Sequence, residues 1–249
     1  MDTTSPIEFR ISYMLGNNIR QMLRSRAVNK SLPKHWPRDV FDVPTRHVEK
    51  DDSVSAMLTY SSMVSSNTNI LLCLAAAVEC DLEALLVAPF DENQDRDKFG
   101  AVSVSILRED LIRLSSLERY LSYFATIYEI KPRDILSANQ LSSLRLLFSL
   151  GNLIIHASTL RAKIVNETDS GRRYIYVDDP FYMDIVKSAA ILLNLGESFY
   201  CLPEELLGCN VLIDALLENC RTGVLSLYRQ VTQNWPAVKP ACSLPWIHS

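Results

Sequence analysis

The chain predicts an all-α protein, a helical bundle with an N-terminal amphipathic helix and a basic arm. Three observations carry that expectation. Only seven glycines and eleven prolines interrupt 249 residues, too few turn formers for a turn-dense β fold. Apolar residues make up 48% and charged residues 22%, an ordinary balance for a chain that folds around a core. From Ser53 onward the apolar positions recur almost without interruption at helical spacing.

Each element follows in order. Ser5, Pro6 and Glu8 form a capping box that opens an amphipathic helix over 6–26. Its apolar face holds Ile7, Ile11, Met14, Leu15, Met22 and Leu23. The stretch from Asn29 to Asp52 carries three prolines and no helical period, so it reads as an arm. Residues 54–66 and 68–88 read as one broken helix or two, with the Ser/Asn cluster at 65–69 as the break. An acidic loop at 91–98 precedes a long helix over 103–129, which carries Leu107, Leu111, Leu114, Leu117, Leu121 and Phe124 on one face. Ser137 and Gln140 offer a second capping box, for a helix reaching about residue 160.

A short β-ribbon is expected near 172–177. Asp178 or Asp179 then caps a helix that begins at Pro180 and stops near Gly196. One or two helices close the fold, with Gly208 or Gly223 as the interruption. The resulting organisation is residues 1–52 as helix plus arm, 53–235 as the bundle and 236–249 as an extended tail. The first fifty residues are expected to be separable from the rest.

Charge is distributed unevenly. Residues 1–50 hold nine Lys/Arg against five Asp/Glu, whereas the remainder holds sixteen against twenty-four. Arg20, Arg24, Arg26, Lys30, Lys34 and Arg38 follow one another with no acid between Gly16 and Arg38. A basic arm on an acidic body suits contact with RNA or an anionic membrane surface, and a solvated face is the plain alternative.

Several chemistries find no support. The sequence holds no phosphate-binding glycine loop, no dinucleotide fingerprint, no HExxH and no GxSxG. Its six cysteines form no CxxC and no pairing with His at zinc-ligand spacing, so neither metal nor cofactor is expected. They read as reduced core residues, and the opening residues read as no secretory signal. Asn166, Glu167 and Thr168 fit a glycosylation sequon that such a chain would leave unused. The longest uncharged apolar run, residues 70–78, is far short of a bilayer span. The expectation is a soluble intracellular protein, cytoplasmic or nuclear. Glu79, Asp81 and Glu83 read as a helix boundary or an exposed helix face.

One seam stands out. Arg145, Ser149, Asn152 and His156 lie at i, i+4, i+7 and i+11 of the helix after Ser137, which stacks them on one face. Leu and Ile fill nearly all the surrounding positions, which predicts a buried helix. Its polar seam would then bond to a neighbouring helix, face a cleft, or sit at an interface. Gly151, beside it, suits close approach of another backbone or of a ligand.

The run LRLLFSLGNLIIHAS, the ribbon after it and DDPFYMDIVKSAAILL resemble the later part of HEPN domains. That resemblance, over about residues 54–200, implies an all-α bundle that dimerises and cleaves or binds RNA without metal. Asn152 and His156 match the family's polar residue and histidine. Gly151 stands where the family's arginine would be, and Arg145 lies two turns upstream. In that chemistry His156 would be the base, Arg145 the cation for the phosphate, and Asn152 an orienting donor. The rival reading is a helical scaffold or viral matrix- or adaptor-like protein. It would self-assemble and touch membrane or nucleic acid through its basic arm.

Overall fold

Local capping rules set where the helices begin. The Ser137 Oγ accepts from the Gln140 N–H at 3.2 Å, and Gln140 Oε1 accepts from the Ser137 N–H at 2.9 Å. This reciprocal box satisfies donors that a helix start leaves without intrahelical partners. Farther along, Asp179 Oδ1 accepts from the Tyr182 N–H at 3.1 Å, with Pro180 in the first helical position.

The structure, a computed structural model, describes residues 18, 19, 21–23, 53–90, 116–155, 160, 162–166, 173–196 and 199–236. In chain order these form α1 (Ser53–Val87), a 3-10 turn (Ala88–Phe90), α2 (Leu117–Tyr128), α3 (Pro132–Ile135) and α4 (Ala138–Ile155). Strands β1 (Ala162–Asn166) and β2 (Arg173–Val177) follow, then α5 (Pro180–Leu192), α6 (Pro203–Gly208) and α7 (Asn210–Asn234). The molecule is an all-α bundle. Its two strands form an antiparallel hairpin, with Ala162 opposite Val177 and Asn166 opposite Arg173. The tail after Pro236 lies outside the described residues.

Two boundaries differ from the sequence expectation, and a third decides between two alternatives. First, α1 runs unbroken through the Ser/Asn cluster: Thr68 donates back to the Val64 carbonyl within the helix at 2.7 Å, and Asn67 finds tertiary partners. Fully buried Asn67 donates from Nδ2 to the Leu207 carbonyl at 3.0 Å and to Asn210 Oδ1 at 3.1 Å. Second, the helix expected over 103–129 begins at Leu117 in the described residues. Ser116 is extended, at φ −112° and ψ 139°, and takes the N-cap position; residues 103–115 lie outside the description. Third, of the two interruptions expected in the closing segment, the one at Gly208 is found: α6 ends at Gly208 and α7 begins at Asn210. The extended Cys209 separates α6 from α7. Gly223 stays helical and buried, where an added Cβ would stand 3.4 Å from the Gln140 Cβ.

The core lies where α1, α4 and α7 meet, with α5 packed on α4 and α2 on α1. Leu74, Leu82 and Leu85 of α1 join Leu144, Leu147 and Leu150 of α4 and Leu216, Val224 and Leu227 of α7 in one cluster, all essentially inaccessible. Burial of a side chain of this size stabilises by about 1.5–3 kcal/mol. Tyr120 of α2 meets Phe148 of α4 edge-on at 6.2 Å. Tyr128 donates its hydroxyl to the Leu85 carbonyl, which ties the end of α2 to α1. Ile19 belongs to this core, with Met22 and Leu23 against it. The described residues of the N-terminal segment, Ile19, Met22 and Leu23, are therefore docked on the bundle.

Candidate functional site

Gly151 marks the inner side of α4. A Cβ built there would point at the Ala75 Cβ of α1, 3.5 Å away. The glycine thus lies at a helix–helix contact that leaves room for a methyl group, and not at an open cleft. Leu144, Leu147, Leu150 and Leu153 flank it and are buried.

The seam points the other way. Arg145 and Asn152 are exposed, Ser149 is half-buried, and Ile155 at the helix end is 66% exposed. Of the places expected for the seam, Arg145 takes the bond to a neighbouring helix, while Asn152 faces water. Residues 144, 146, 147, 148, 150 and 153 cover three sides of the cylinder, and the strip through 145, 149 and 152 is the side left to water. Arg145 Nε donates to Glu118 Oε1 of α2 at 2.7 Å, with both side chains about half exposed. An ion pair so solvated contributes about 0–1 kcal/mol.

His156 lies outside the described residues, as do Arg20, Arg24, Arg26, Lys30, Lys34 and Arg38. Of the sequence-derived site, the structure places Arg145 and Asn152 on one solvent-facing strip. It adds Glu118, an acid that sequence spacing could not connect to Arg145 across 27 positions.

The acidic group on α1 departs from its expected exposure. Asp81 is fully buried, and Glu79 and Glu83 are half-buried. Burial holds the Glu79 carboxyl above its ordinary range. The native state therefore keeps this proton more tightly than the unfolded chain, so stability falls as pH rises out of the carboxylate range. Glu79→Gln is expected to raise stability at neutral pH, with the gain vanishing in acid. Urea unfolding of both proteins at about pH 4 and about pH 7.5 checks the sign. A gain of equal size at both values would trace the effect to packing instead of charge.

Cys201, Cys209 and Cys220 are buried core residues, while Cys73 and Cys80 are half-buried. Burial pushes the Cys201 thiol up to about 12 and raises Cys209 and Cys220 as well, which suppresses the reactive thiolate. Tyr182 is inaccessible and donates to the Cys201 carbonyl at 2.9 Å. Among the described residues, no group of three or more His, Cys, Asp or Glu could hold a metal ion, and no helix is long and apolar enough to cross a membrane. An open polar cleft of about 570 Å³ lies where α3 meets the second half of α7. Glu129, Lys131, Asp134 and Arg229 give it charges of both signs.

Sequence reasoning missed one further feature. Phe181 and Ile191 of α5 stand 43% and 72% exposed, while Tyr182, Ile185, Val186 and Ala189 on the opposite side are buried. Their ten-residue separation was readable as a shared face; which face would remain uncovered depended on the neighbours. No protein-family model, curated protein or solved structure matches this chain.

Proposed function

We propose that this protein is a helical scaffold that self-assembles through exposed apolar side chains and contacts an anionic surface through its basic arm. The outward placement of Phe181 and Ile191 on one side of α5 supports this reading most. Exposed single apolar residues are ordinary, but two on the same face of a helix whose other face is packed suit a docking surface. The run from Arg20 to Arg38, six positive charges without an acid, supplies the electrostatic half.

Reversing Arg20, Arg24 and Arg26 to Glu tests that half. Binding to single-stranded RNA and to phosphatidylserine vesicles is measured across a salt series. The variant is expected to bind more weakly, with a shallower salt dependence. Unchanged binding at low salt removes the arm from the function.

A second reading, an HEPN-like RNA-binding protein, is favoured by the shared solvent-facing strip of Arg145 and Asn152. There Arg145 would have to exchange Glu118 for a phosphate. Glu118→Gln, which frees the guanidinium, is expected to tighten RNA binding in that case, and His156→Ala to abolish binding or cleavage without lowering the melting midpoint. Neither change affects RNA if the protein is purely a scaffold.

A further inference from the structure

We infer that the outer face of α5 pairs with the same face of a second copy of this chain, the two helices lying antiparallel across a two-fold axis. The inference rests on the assembly reading above and names its surface and partner.

Phe181, Asp184, Ser188 and Ile191 occur at i, i+3, i+7 and i+10 of α5, the spacing of a helix–helix seam. All four lie away from the buried side formed by Tyr182, Ile185, Val186, Ala189 and Ala190. The face is apolar at both ends and carries one charge of each sign near its middle. Asp184 and Lys187 are 79% and 68% exposed, and their own contact is loose, at 3.9 Å.

This arrangement is complementary to itself in one orientation. Antiparallel pairing centred near Val186 sets Phe181 against the partner's Ile191, and Asp184 beside the partner's Ser188 and Lys187. A two-fold contact then repeats each pair twice. Parallel pairing would oppose Asp184 to Asp184 and Lys187 to Lys187, which is unfavourable. Ser188 is small enough for the helices to approach at the centre. Its hydroxyl already donates to the Asp184 carbonyl at 2.8 Å, so closure strands no polar group there.

The size of the face sets the strength. A 13-residue helix is about 20 Å long, and its outer strip offers far less than the roughly 800 Å² per partner of a standard interface. The pairing therefore belongs to the weak class, with a dissociation constant roughly between micromolar and millimolar.

Analytical ultracentrifugation of the full chain over about 10–1000 µM tests this, given that strength range. The parent is expected to move from monomer toward dimer and no further. Phe181→Asp with Ile191→Asp should weaken association at least about tenfold. Asp184→Lys alone and Lys187→Asp alone should each weaken it, while the two together restore it, since the swap preserves complementarity. Circular dichroism confirms that each variant keeps its helices, and the paired charge swap carries the test if the apolar replacements do not. A parent that stays monomeric throughout overturns both this pairing and the assembly reading. A parent that associates but ignores the α5 changes overturns this face alone. Failure of the swap to restore what the single charge changes lose overturns the antiparallel register.

Discussion

Gly151→Arg is expected to destabilise the bundle by at least about 4 kcal/mol, a large part of the stability of an ordinary domain. The Cα–Cβ direction at this residue points at Ala75 of α1, with 3.5 Å between the two Cβ positions. An arginine there would force its stem between packed helices and carry a charge out of water with no partner prepared for it. Gly151→Ala is the control. Its methyl meets Ala75 at ordinary van der Waals distance, and alanine gains up to about 1 kcal/mol over glycine inside a helix. Alanine should therefore hold or raise the urea midpoint, while arginine lowers it steeply or leaves no cooperative transition. The pair also bears on RNA chemistry, because position 151 is where the HEPN resemblance would place an arginine. A stable Gly151→Arg protein that gained RNA cleavage would move that position from the helix interface into a cleft.

What the sequence made legible was local. Ser137 with Gln140, and Asp179 with Pro180, cap their helices because both partners lie within one turn. The periodic apolar positions of α2, Leu117, Leu121 and Phe124, are buried. What escaped reading depends on contacts distant in sequence. The partners that keep Asn67 helical lie 140 and 143 positions away. The seam of α4 carries the same lesson in reverse. Counting apolar residues around the helix predicted burial, yet a strip one side chain wide was enough for Arg145 and Asn152 to reach water. Burial of Asp81 had no local signal either, since an acid between two acids reads as surface until the bundle closes around it.

Asn67→Asp is expected to show how strongly a single buried amide joins α1 to the α6–α7 junction. The substitution keeps shape and exchanges a donor for a charged acceptor. Asn67 is fully buried, and its Nδ2 faces two acceptors, the Leu207 carbonyl and Asn210 Oδ1. Its Oδ1 is buried with no hydrogen-bond partner among the described residues, so an aspartate would meet acceptors on one side and no donor on the other. An uncompensated buried charge of this kind costs about 3–5 kcal/mol. The carboxyl would consequently be held above its unfolded value of about 3.9. The folded variant would bind this proton more tightly than its unfolded chain, so stability is lost as pH rises and returns as pH falls through the carboxylate range. Recovery stays incomplete by about 1 kcal/mol, because a protonated carboxyl donates one hydrogen bond where the amide donates two. Asn67→Leu separates charge from lost bonding: it removes both donors without adding charge and should cost about 1–3 kcal/mol at either pH. Urea unfolding of the three proteins at about pH 3.5 and about pH 7 reads the difference. An aspartate variant within about 1 kcal/mol of the parent at neutral pH would mean that water reaches Asn67, and that the unbroken run of α1 rests on its apolar neighbours alone.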